Sequence, residues 1–119
     1  MRPDQVRLRR AYDPPSPDDG RRILVDRLWP RGLSKEAAQL DEWAKELAPS
    51  TELRRWFHAA PEAHAAEFAT RYRAELATPA QRDRLAALRT HPSLTLLTAT
   101  RDPTHSFAAI LAELLTAHG

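Results

Sequence analysis

The chain has 119 residues, one domain's worth, and a net charge of +2. Apolar residues make up 42 % of it, but 21 of them are alanine and 16 leucine, against two valines and two isoleucines; that mix favours helix and excludes an all-β sandwich. Cysteine is absent, which excludes disulfides, thiolate metal sites and cysteine nucleophiles, and the basic set is 16 arginines to two lysines.

Residues 6–10 alternate between apolar and basic (Val6, Arg7, Leu8, Arg9), the period-two pattern of a half-exposed strand. A loop rich in proline follows and ends at Gly20. Ile23, Leu24 and Val25 then form a continuous apolar run, read as a buried central strand. Pro30 and Gly32 mark a turn beyond it. Ser34 is placed to cap a helix through Leu40, and Asp41 a second one through Leu47. After Pro49, Ser50 caps a short helix carrying Leu53, Trp56 and Phe57 on one side. Residues 62–76 repeat Ala65, Phe68, Tyr72 and Leu76 at helical spacing. Thr78, Pro79 and Gln81 then open another helix whose Leu85 and Leu88 face inward. Residues 93–100 read as a second buried strand, closed by Arg101-Asp102-Pro103, with Asp102 as cap and Pro103 as first residue of the last helix. That helix places Phe107, Ile110, Leu111, Leu114 and Leu115 on one face. The three tryptophans, Trp29, Trp43 and Trp56, are expected as core anchors.

The order predicts a small, helix-rich α/β domain spanning residues 1–119, with a short sheet that is mostly parallel or mixed. The long helical connection between the two apolar strands suits a parallel crossover, whereas the short link after the first strand suits an antiparallel pair. No stretch reaches the roughly 18 apolar residues that span a bilayer, and no apolar run follows the N-terminus as in a secretory signal, so a cytoplasmic protein with no membrane partner is expected. The histidines at 58, 64, 91, 105 and 118 fit no zinc spacing, so no metal is assigned. The sequence names no cofactor and no oligomeric state.

The charge is uneven. Residues 1–32 hold eight arginines and five acids, and residues 33–119 hold ten basic and eleven acidic residues. In open α/β sheets ligands bind outside the carboxyl ends of the strands. Asp26, Arg27 and Arg31 lie at one such end, and Arg101, Asp102, His105 and Ser106 at the other. Parallel strands would open both sets on one edge, beside a helix N-terminus that favours anions. The predicted site is an arginine-rich pocket in which Arg27, Arg31 and Arg101 hold a phosphate or carboxylate of a small ligand through guanidinium forks. Arg54 joins from the helix after Ser50, and Ser106 adds a hydrogen-bonding hydroxyl. His105 donates a hydrogen bond or transfers a proton, and Asp26 orients an arginine or acts as base. Asp26 and His105 are the candidate catalytic residues, and whether the protein is an enzyme stays open. Two other readings stand beside this one: a nucleic-acid surface built from Arg7, Arg9, Arg10, Arg21 and Arg22, and a non-catalytic interaction or regulatory module.

The run from Arg22 to Lys35, which contains Val25-Asp26-Arg27-Leu28-Trp29-Pro30-Arg31-Gly32, follows Tyr12-Asp13-Pro14-Pro15. With Trp43, Leu47-Ala48-Pro49-Ser50, Leu53-Arg54-Arg55-Trp56-Phe57 and Thr95-Leu96-Leu97, it resembles the YeaO-like family (domain of unknown function 488) over nearly the whole chain. The resemblance implies a small cytoplasmic α/β protein and no established reaction. The last motif departs from the family's usual K-D-x-x-H-N-x-A. His105 and Ala108 match it, whereas Arg101 and Ser106 replace Lys and Asn. Serine lacks the paired donor and acceptor of the amide.

Overall fold

The alternation of residues 6–10 sorts them between the two faces of a sheet. In the computed structural model, which describes residues 1–117, Val6 and Leu8 of strand β1 (Val6–Arg10) pack toward the main core. Arg7 and Arg9 face the other way, toward the carboxylate of Asp19. Strand β2 (Arg21–Leu24) and strand β4 (Leu94–Thr98) repeat the division. Ile23, Leu94 and Leu96 enter the main core, while Leu24 and Leu97 join a smaller cluster with Ala11.

The sheet has four strands in the order β1-β4-β2-β3, all parallel, with β3 being Glu42–Trp43. The expected antiparallel pair of β1 and β2 does not form. Both strands instead pair in parallel with β4, which lies between them in the register Val6, Leu94, Arg21. Burial explains the insertion. All five residues of β4 are buried, so it needs a neighbour on each side, whereas the arginine-bearing β1 tolerates the edge. The link of residues 11–20 is long enough to return past one strand length to the start of β2. Gly20 completes that return at φ +62°, where a Cβ would sit 2.7 Å from the Ser93 carbonyl oxygen.

Helix α1 (Lys35–Ala38) starts at Ser34, whose hydroxyl accepts from the Ala37 amide at 3.0 Å. The helix expected from Asp41 is absent. Asp41 bonds the edge of β2 instead, its amide donating to the Arg22 carbonyl and its carboxylate accepting from the Arg22 amide at 2.8 Å. This pairing draws Glu42–Trp43 into the sheet and leaves only a 3-10 turn at Lys45–Leu47. Helices α2 (Thr51–Ala59), α3 (Pro61–Glu75), α4 (Pro79–Leu88) and α5 (Phe107–Thr116) follow the predicted order and cover the main core face through residues such as Leu53, Tyr72, Leu88 and Leu111. Of the tryptophans expected in the core, Trp29 and Trp56 are half-buried and Trp43 is exposed. Among the described residues no helix is long and apolar enough to cross a membrane.

Candidate functional site

The carboxyl edge of the sheet is held open by side chains that tie loops to strand ends. After β2 the chain turns at Pro30–Leu33, where the Leu33 amide donates to the Pro30 carbonyl and Gly32 sits at φ +76°, as the third position of a type II turn requires. Three further bonds fix this loop. The Trp43 indole donates to the Asp26 carbonyl at 2.7 Å, the Trp29 indole to the Leu33 carbonyl at 2.5 Å, and the Tyr12 hydroxyl to the Arg31 carbonyl at 2.8 Å. The rings of Trp29 and Trp43 meet edge to face at 5.5 Å. The aromatic residues read as core anchors are therefore loop anchors here.

Asp26 spans two strand ends. One carboxylate oxygen accepts from the Thr98 hydroxyl at 2.6 Å and the other from the Ala99 amide at 2.8 Å. Among the described residues no arginine lies within ion-pair distance of it, and each of its oxygens accepts one hydrogen bond. Arg27 reaches the opposite wall, where its guanidinium donates to the carbonyls of Ala48 and Pro49 at 3.3–3.4 Å. That wall is the entry to α2. The Ser50 hydroxyl accepts from the Leu53 amide as the helix cap, while Glu75 at the end of α3 accepts from the Ser50 amide and hydroxyl at 2.9 and 2.6 Å. The cap is thus locked from a second helix, and Arg54 lies one turn beyond it.

Between these walls is a cleft of about 350 Å³, lined by Arg27, Arg31, Arg54, Asp26, Pro49 and Thr100 among others. Three arginines meet one carboxylate there. Among the described residues neither Arg31 nor Arg54 has a carboxylate within ion-pair distance, whereas seven other arginines make such pairs. The structure thus brings three of the expected arginines to one cleft. Arg101 is exposed and lines neither this cleft nor the chamber beside it.

That chamber, about 330 Å³, shares Arg54, Pro49, Thr100 and Phe107 with the cleft and continues between Phe57 and Ile110. His105 and Ser106 border it. The last helix begins one turn later than expected. Pro103–His105 is a 3-10 turn, and the cap of α5 is Ser106, whose hydroxyl accepts from the Ala108 amide and donates to the Pro103 carbonyl at 2.7 Å. Asp102 is not that cap. One of its oxygens accepts from the Thr104 hydroxyl at 2.7 Å and the other lies 2.6 Å from His105 Nδ1. The Thr104 hydrogen bond and then the His105 bond hold the Asp102 carboxyl below its ordinary range. A carboxylate only accepts, so Nδ1 of His105 carries the proton and Nε2 is left as the free ring nitrogen.

The arginines assigned to a nucleic-acid surface have intramolecular partners. Asp19 is 1 % exposed and takes Arg22 at 2.5 Å, Arg9 at 3.1 Å and Arg7 at 3.4 Å. The remaining donors of Arg22 reach the Ala38 carbonyl at the end of α1. Arg21 pairs with Glu42, and Arg10 donates to the Thr100 carbonyl. Burial pushes the Asp19 carboxyl up, but the Ser16 amide and the Arg9 and Arg22 guanidiniums outweigh it, so its pKa falls below the ordinary value. Among the described residues no group of three or more His, Asp or Glu side chains is placed to hold a metal; His118 lies outside those residues.

Residues that sequence reasoning missed are the walls. Pro49, Thr100 and Phe107 are shared by both spaces, and only the predicted helix start at Ser50 hinted that Pro49 lies near Arg54. Residues 5–118 match the family described as "Inactive DUF488-N3 subclade". The chain is 47 % identical to the uncharacterized protein YeaO of Escherichia coli over 111 residues, 92 % of this chain and 96 % of that one. It is 45 % identical to the uncharacterized protein Rv3073c of Mycobacterium tuberculosis over 115 residues, 97 % of each. No solved structure gives a significant match.

Proposed function

The chain belongs to the YeaO-like DUF488 family, and from that premise we propose that it binds a small phosphate- or carboxylate-bearing ligand in the cleft lined by Arg27, Arg31 and Arg54. The observation that carries this reading is the charge state of the cleft. Arg31 and Arg54 lack carboxylate partners among the described residues, and the one carboxylate in the lining, Asp26, is already satisfied by Thr98 and Ala99. An anion there meets three guanidiniums against one carboxylate, and charge-assisted hydrogen bonds are the stronger kind. Arg27 keeps its anchoring bonds to Ala48 and Pro49 and adds positive charge.

Binding without turnover is the better supported form of this reading. The matching family is described as inactive. His105 lies at the neighbouring chamber with Nε2 available for a hydrogen bond to a bound ligand.

Titration calorimetry with inorganic phosphate at constant ionic strength tests the proposal. Wild-type protein is expected to bind, and Arg31→Gln and Arg54→Gln each to weaken binding about tenfold, as loss of one charged hydrogen bond implies. Arg71→Gln, which removes a surface pair with Glu67, is expected to leave the affinity unchanged. Undiminished binding in the Arg31→Gln/Arg54→Gln double variant, or no binding by wild type, overturns it.

A further inference from the structure

The arginine cleft does not end in a polar wall. Arg54 and Phe107 border both it and the second chamber, so the two spaces are neighbours across shared side chains rather than separate sites. Beyond that boundary the lining changes character. Phe57, Phe68 and Phe107 are linked to one another through ring contacts: Phe57 to Phe68 at 4.7 Å, Phe68 to Tyr72 at 5.8 Å, and Tyr72 to Phe107 edge to face at 5.9 Å. Tyr72 is fully buried and anchored by its hydroxyl on the Leu47 carbonyl, so this aromatic row is fixed from beneath. Ile110 and Ala65 complete the apolar walls, and Arg54, His58, Thr100, His105 and Ser106 are the polar lining residues.

Resting on the anion-binding reading above, we infer that the ligand is an aryl anion: a planar aromatic or heteroaromatic group joined to a phosphate or carboxylate. Its charged end lies by Arg31 and Arg54 and its ring by Phe57 and Phe107. Three considerations select that class. A simple inorganic anion would use only the first space and leave an apolar chamber to water, which apolar walls hold poorly. Aromatic rings gain from offset or edge contacts with other rings beyond the area they bury, which a flexible alkyl chain does not. The chamber's surface is predominantly apolar, so the polar atoms of a sugar-like or peptide-like body facing Phe57, Phe68 and Ile110 would be left unpaired on burial.

The test compares two monoesters of equal charge, methyl phosphate and phenyl phosphate, by calorimetry on the full chain. Phenyl phosphate is expected to bind wild type at least about tenfold more tightly, the gain from burying a ring. Ala65 is exposed on α3 and lines the chamber, so Ala65→Trp fills the space without removing a core contact; circular dichroism checks that the helices persist. This variant is expected to reduce the preference to under about threefold while methyl phosphate binds as before. Equal affinity of wild type for both esters overturns the aryl assignment and leaves the arginine cleft standing. A tenfold preference that survives in Ala65→Trp also overturns it, because the ring then binds elsewhere. Failure of both esters to bind overturns the cleft itself, and the aryl assignment with it.

Discussion

Arginines cluster in two regions of this molecule and do opposite things. Around Asp19, near the amino ends of the strands, Arg7, Arg9 and Arg22 converge on one buried carboxylate. At the carboxyl edge, Arg27, Arg31 and Arg54 line a cleft whose single carboxylate is taken by other groups. The residue type is the same and the local sequence is similarly basic. What differs is whether an acidic partner arrives with the fold. Charge count alone therefore says little about function; the placement of Asp19 in the link between β1 and β2 turns the first cluster into scaffold.

The sharpest break of this comparison is Asp19→Ala. It leaves three guanidiniums around a buried site and is expected to cost about 3–5 kcal/mol in urea denaturation, the range for removing one partner of a buried pair. The same carboxylate sets a pH dependence. Its pKa is lower in the folded chain than in the unfolded one, so its contribution to stability is fully present above the unfolded value near pH 4 and is lost as pH falls below it. The stability gap between wild type and Asp19→Asn is expected to be constant from pH 5 to 7 and to shrink toward pH 3. A gap that grows on acidification contradicts the assignment.

Gly20→Ala comes next, at about 1–3 kcal/mol, because a Cβ there meets the Ser93 carbonyl and the backbone angle is unfavourable for any L side chain. Thr98→Val removes a hydroxyl that donates to Asp26 and accepts from the Thr100 amide, and is expected to cost about 1–2 kcal/mol and to loosen the cleft floor; thermal denaturation and phosphate titration read the two effects separately. The smallest stability effect belongs to Arg31→Gln/Arg54→Gln. Exposed side chains without ion-pair partners are expected to change stability by less than about 0.5 kcal/mol while abolishing phosphate binding. That reversal, large in binding and small in folding, is the mirror image of Asp19→Ala.

How much of this was legible in the sequence depends on the range of the interaction. Ser34 and Ser50 cap helices through bonds three residues long, and both were visible in their spacing. The apolar run of β4 was visible too, because continuous burial leaves a continuous pattern. β3 was not, since two residues carry no period and Asp41 resembles a helix cap until its contact with Arg22, 19 residues away, is known. The same holds for the last helix, where Asp102 and Ser106 both have cap chemistry and the 3-10 turn between them decides which one serves. In the site, Arg27, Arg31 and Arg54 could be chosen by their place after predicted strands and helix starts. Arg101 could be chosen by the same rule yet stands outside the lining. Phe57 and Phe107 read as core residues because a chamber wall and a core wall have the same composition.

The insertion of β4 between β1 and β2 also sets an order of events during synthesis. β1 and β2 emerge early and have no pairing partner in one another. The strand that joins them follows roughly 70 residues after β2, on the order of 4–14 s at ordinary elongation rates. Through that interval the apolar run Ile23-Leu24-Val25 has unpaired backbone on the side that β4 will take. The cleft, whose floor joins Asp26 to Thr98 and Ala99, therefore belongs to the last stage of assembly, and a nascent chain stopped before β4 has every cleft arginine and no cleft.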